Sequence, residues 1–123
     1  MLSFFLRADT RAALYADVIS GRTVIASFQT VAELLRGACE RNWGERRREA
    51  LESQLARLAI HPYSLPLAWE WAEIMTIARR SGRPLSTADG WVAATARLVG
   101  VPLVTHNRRD FAAVPGLEVI SFA

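Results

Sequence analysis

Thr87-Ala88-Asp89-Gly90-Trp91-Val92-Ala93-Ala94-Thr95-Ala96-Arg97-Leu98-Val99-Gly100 runs directly into Val101-Pro102-Leu103-Val104-Thr105, and this junction decides the fold. The first part has helical period, with Trp91, Val92, Thr95, Leu98 and Val99 on its main face. Ala93, Ala94 and Ala96 cover most of the rest, which suits close packing on several sides. Gly100 is placed to end the helix. The apolar run after it reads as a buried strand. A helix that feeds straight into such a strand is half of a parallel β-α-β unit.

Working outward, the same alternation recurs. Thr23 to Phe28 reads as a strand and Thr30 to Cys39 as a helix with Val31, Leu34, Leu35 and Ala38 inward. Asn42-Trp43-Gly44 breaks that helix, and Glu45 to Leu58 forms another, with Leu51, Leu55 and Leu58 inward. Leu58 to Tyr63 is a short strand or extended connection. Leu67 to Arg80 is strongly amphipathic, with Leu67, Ala68, Trp71, Ile74, Met75 and Ala78 on one face. Asn107 to Phe111 reads as a short helical turn and Leu117 to Phe122 as a last strand. Near the start, Asp9 to Ile19 reads as a helix, while Met1 to Leu6 is apolar but too short to classify. The expectation is one α/β domain built on a parallel sheet.

Composition narrows the function. With 123 residues and 51% apolar content the chain can bury one core. No apolar run is long enough to span a bilayer. The single cysteine, Cys39, excludes an internal disulfide and multi-cysteine metal sites; packing is its expected role, and the cytoplasm the expected compartment. All 15 basic residues are arginine, for a net charge of +3. Either a genome-wide bias or phosphate binding explains this, and both leave a chain with affinity for polyanions. Two distant histidines, His61 and His106, make a zinc site a poor fit.

Three acids share one setting. Glu33, Asp89 and Asp110 each lie near the start of a helical pattern. Taken singly, each has a plain structural explanation. Thr30 to Glu33 and Ser86 to Asp89 have capping-box spacing, and Asn107 can cap a turn with Asp110 at its third position. Together they have another. Strand ends and helix starts converge on one edge of an open parallel sheet. Carboxylates gathered there repel one another unless a hard divalent cation intervenes. Such an ion supports phosphodiester hydrolysis.

Three blocks carry a resemblance. They are Gln29-Thr30-Val31-Ala32-Glu33-Leu34-Leu35-Arg36-Gly37, Ala88-Asp89-Gly90-Trp91-Val92-Ala93-Ala94-Thr95-Ala96 and Leu103-Val104-Thr105-His106-Asn107-Arg108-Arg109-Asp110-Phe111. In this order the chain resembles the PIN-domain ribonucleases, specifically the VapC-type toxins of toxin–antitoxin pairs. The resemblance implies a PIN-like parallel sheet flanked by helices. It implies an endoribonuclease dependent on Mg²⁺, or Mn²⁺, that cuts structured RNA such as tRNA or rRNA. It further implies a homodimer and a cognate antitoxin. Glu33 and Asp89 match the family's second and third acidic positions, and the fourth falls at Asn107 or Asp110. Arg108 and Arg109 flank that last position as RNA-phosphate ligands. Arg46 to Arg48 read as a solvated helix face, and Trp69 and Trp71 as packing.

The N-terminus departs from the pattern. The family opens on an apolar strand ending in Asp-Thr-Asn, and Met1 to Leu6 resembles the segment just after it. The expectation is therefore an N-terminally incomplete domain over residues 1–123, without its first central strand and first acid; Asp9 reads as a helix cap. Either the true start lies upstream of Met1, which the intact later motifs favour, or the chain is an impaired module that binds antitoxin or RNA without cleavage.

Overall fold

The computed structural model describes residues 4–6, 24–105 and 107–121. The helix expected over Asp9 to Ile19, and His106, lie outside the described residues. Five strands form one sheet in the order β3-β2-β1-β4-β5: β1 Phe4–Leu6, β2 Val24–Ser27, β3 Ala59–His61, β4 Leu103–Thr105 and β5 Val119–Ser121. Every pairing is parallel. The described helices are α1 Phe28–Glu40, α2 Glu45–Leu55, α3 Leu65–Arg80 and α4 Thr87–Val99. A 3₁₀ turn covers Arg108–Phe111.

The parallel α/β sheet expected from the alternation is present, with one difference at its centre. The sequence reading left the central position without a strand. Here Phe4–Leu6 fills it, with Phe5 in register with Ile25 on one side and with Leu103 on the other. The physical reason is the one that made an absent strand costly: β2 and β4 both present unpaired backbone edges, and three apolar residues suffice to pair with them. Since β1 leads to β2 and β3 on one side and to β4 and β5 on the other, the strand order reverses beside it. Ligands in open α/β sheets bind at that reversal, outside the carboxyl ends of the strands.

Local chemistry sets the element boundaries. β2 stops at Ser27 because its Oγ accepts the Thr30 N–H at 3.0 Å, which starts α1 two residues earlier than expected. β4 starts at Leu103 because Pro102 has no N–H to offer a ladder and the Val101 N–H is still bonded to the Ala96 carbonyl. α3 ends in a Schellman turn: Gly82 has φ of 79°, and the Arg83 N–H donates to the Ala78 carbonyl at 3.0 Å.

The core lies where α3 and α4 pack together over the sheet. It is built from Leu67, Ile74, Ala78, Val92, Ala93, Ala94, Ala96, Leu103 and Phe111. Ala93, Ala94 and Ala96 of α4 are fully buried, as close packing on several sides requires, but Leu98 is 38% exposed and leaves the expected main face. Trp71 stacks on Trp91 with ring centres 4.8 Å apart, whereas Trp69 is exposed rather than packed. Cys39 is also exposed, so the packing role expected for it does not hold. Across the helix pair, Arg97 of α4 is paired with Glu70 and Glu73 of α3.

Gly90 marks the closest approach of the two helices. A Cβ there would overlap Met75 Sδ and lie 2.8 Å from Trp71 Nε1. Gly90→Ala is therefore expected to destabilise the fold by about 1–2 kcal/mol, because overpacking outweighs the better helix propensity of alanine. Urea unfolding measures this, and a stabilised variant would show that the helices separate without cost.

Candidate active site

The C-terminal edge of the sheet collects the predicted site from three elements. α4 runs back along the sheet into β4, so its N-terminus sits at the edge where β4 ends. Ser86 caps it by accepting the Asp89 N–H at 3.1 Å. Asp89 thereby takes the third helical position, as its spacing predicts, and is 9% exposed. Its carboxylate needs no part in the cap, since the bond uses the backbone.

The other wall grows from the end of β4. Thr105 Oγ1, buried, accepts the Asn107 N–H at 3.1 Å and turns the chain. The 3₁₀ turn follows, with Asn107 at its N-cap. The Asn107 side chain does not bond a backbone N–H there; its Nδ2 donates to Asp110 Oδ2 at 2.7 Å. That bond leaves the Asn107 amide oxygen as its remaining acceptor group. Phe111, 1% exposed, anchors the turn in the core directly beside Asp110.

Between these walls lies an open cleft of about 910 Å³, a size that takes a nucleotide segment rather than an ion alone. Asp89 and Asp110 both line it, with Arg108, Arg109, Arg83, Ser86 and Leu85. Two acidic residues and three arginines thus line one space. Arg108 is partly engaged, because its Nη2 donates to the Val119 carbonyl at 3.3 Å. Sequence reasoning missed Arg83. The signal available for it was Gly82, whose left-handed turn aims the chain back at the cleft immediately after α3.

Glu33 is placed differently. With Ser27 as the cap, Glu33 is the sixth residue of α1 rather than the third, so the capping-box reading of Thr30 to Glu33 fails. Its Oε1 accepts a bond from Gln29 Nε2 at 3.4 Å, one turn earlier. Glu33 is exposed and does not line the cleft. Among the described residues, no three His, Cys, Asp or Glu side chains are grouped closely enough to hold a metal ion. The structure thus brings Asp89, Asn107 and Asp110 to one site and leaves Glu33 on the neighbouring helix. The donors at the cleft are oxygens, which suit a hard cation; Mg²⁺ takes one or two carboxylates and fills its other positions with water and phosphate.

A parallel sheet reversed at its centre, with carboxylates and arginines at the carboxyl edge, defines a class that comparison with known proteins identifies. The PIN domain family model matches residues 1–117, and this chain is a PIN-domain protein. The tRNA(fMet)-specific endonuclease VapC of Shigella flexneri is 33% identical over 98 residues, which cover 80% of this chain and 74% of that protein. The VapC ribonuclease Y4jK of Sinorhizobium fredii is 33% identical over 119 residues, covering 92% and 84%. Within the PIN class, the chain belongs to the VapC ribonuclease family. The DNA-bound VapBC complex of Salmonella typhimurium contains a chain that superposes with a TM-score of 0.83 at 26% identity, over the full length of both.

Proposed function

We propose that this chain is a metal-dependent endoribonuclease toxin that cuts structured RNA, tRNA or rRNA, in the cytoplasm and is neutralised by a cognate antitoxin. The observation that carries this reading is the pair Asp89 and Asp110 lining one arginine-walled cleft. The tRNA specificity of the Shigella relative and the toxin–antitoxin VapBC complexes among the structural relatives support the substrate class and an antitoxin partner. No described helix is long and apolar enough to cross a membrane.

Asp89 and Asp110 would hold the ion, with Asn107 adding a neutral amide oxygen; two carboxylates suffice for Mg²⁺, and Glu33 stands outside the cleft. When bound, Mg²⁺ or Mn²⁺ supplies charge neutralisation at the phosphate and a more acidic water. The chain's own contribution is positional. Arg109 and Arg83, which line the cleft, would bind substrate phosphates, and Arg108, tied to β5, holds the turn. Ser86 fixes the helix start that presents Asp89.

Incubation with a folded RNA, with and without Mg²⁺, tests the proposal. Cleavage is expected with the ion, stopped by a chelator and restored by excess Mg²⁺. The second reading, a module that binds RNA or antitoxin without cutting, is favoured by the position of Glu33 outside the cleft. Binding with no cleavage at any Mg²⁺ or Mn²⁺ concentration would establish it instead.

A further inference from the structure

The turn between α1 and α2 holds a cluster that the cleft does not use. α1 ends in a Schellman turn: the Trp43 N–H donates to the Ala38 carbonyl at 3.0 Å and the Asn42 N–H to the Cys39 carbonyl at 3.1 Å. Asn42 takes the left-handed position, with φ of 54°. Arg48, in the first turn of α2, donates from Nε to the Trp43 carbonyl at 3.2 Å. The backbone of Trp43 is therefore fixed from both helices.

Two guanidiniums flank its ring. The Arg41 guanidinium carbon is 6.0 Å from the ring centre and that of Arg47 is 5.9 Å, at the outer limit of cation–π attraction. Arg41, Arg46 and Arg47 are exposed, and among the described residues none of them is in an ion pair. From Glu40 to Glu49 there are four arginines and three glutamates, and Glu40 is already paired with Arg36.

We infer that this turn is a second contact for the RNA, binding its phosphates through Arg41, Arg46 and Arg47 and an unstacked base through Trp43. An indole set between guanidiniums matches the alternation of base and phosphate along a single strand. An acidic protein segment would match the charge alone. α1 has 13 residues, so the turn lies roughly 20 Å along the helix axis from Ser27, at the end of α1 away from the sheet edge that carries the cleft. Only an RNA that extends well beyond the scissile bond reaches both places. The inference rests on the ribonuclease reading above.

The test uses the full chain carrying Arg46→Gln and Arg47→Gln, both on an exposed helix face, with Trp43→Ala as a second variant. Cleavage kinetics are compared on a stem-loop RNA and on an oligonucleotide of a few nucleotides. For the arginine double variant, KM on the stem-loop is expected to rise about tenfold with kcat unchanged. The slope of log Kd against log salt is expected to fall by about 1 to 2. Trp43→Ala is expected to raise KM on the stem-loop without changing the salt slope. KM on the short oligonucleotide stays the same in both. An unchanged stem-loop KM overturns the inference, as does an equal rise on both substrates. So does retained RNA affinity with lost affinity for poly-glutamate, which would assign the turn to an acidic protein partner. If the parent chain neither binds nor cuts either RNA, the ribonuclease reading fails and this contact with it; if parent and variants cut both equally well, only the contact fails.

Discussion

Asp89→Asn is expected to lower RNA cleavage by on the order of a hundredfold to a thousandfold while leaving RNA affinity intact. The substitution keeps the shape of the side chain and removes its charge. It spares the helix cap, because Ser86 Oγ accepts from the backbone N–H of residue 89 and not from the carboxylate. The lost interaction with the helix dipole alone costs about 0.3–1 kcal/mol. RNA affinity holds or rises because one negative charge leaves a cleft walled by Arg83, Arg108 and Arg109. The measurement is single-turnover cleavage in Mg²⁺ beside equilibrium binding of the same RNA. Equal cleavage by variant and parent would sink the assignment of Asp89 as an ion ligand.

Phe111→Ala is expected to cost about 3–5 kcal/mol of stability, the range for emptying a buried phenylalanine site. Phe111 is 1% exposed and belongs to the main core with Leu103 and Val114. A domain of this kind has only about 5–15 kcal/mol to lose. The effect reaches the site because Phe111 is the last residue of the turn that carries Asp110. Denaturant unfolding gives the stability loss. Cleavage measured well below the unfolding midpoint should also fall, since Asp110 loses its anchor. Full activity in a strongly destabilised variant would show that the Asn107–Asp110 bond alone positions the carboxylate.

The sequence announced most of the fold because its elements are locally consistent. α4 has the boundaries read from its period and its Gly100, and the parallel alternation follows from the junction with β4. What stayed hidden was set by contacts distant in sequence. Phe4–Leu6 has no period to read; only the unpaired edges of Val24–Ser27 and Leu103–Thr105 make it a strand. Trp69 and Trp71 look alike in an amphipathic helix, yet only Trp71 meets Trp91. At the site, the place of Asp89 was legible from the Ser86 cap before it, whereas Asn107 stands at the cap position but bonds the Asp110 carboxylate instead. Glu33 was misplaced by one competing oxygen, since Ser27 and Thr30 both fit an N-cap and Ser27 wins by standing at the strand's end. Arg83 was missed because a Schellman exit shows only as a glycine in sequence.

The two walls of the cleft differ in build. Asp89 stands on a 13-residue helix wedged against α3 at Gly90, whereas Asp110 stands on a four-residue turn held by Phe111 and a few short bonds. A ligand that bridges them works as a staple between the rigid and the light half of the molecule. By mass action its binding energy then appears as resistance to unfolding. Occupancy of the cleft becomes readable as a rise in melting temperature, without any turnover at all.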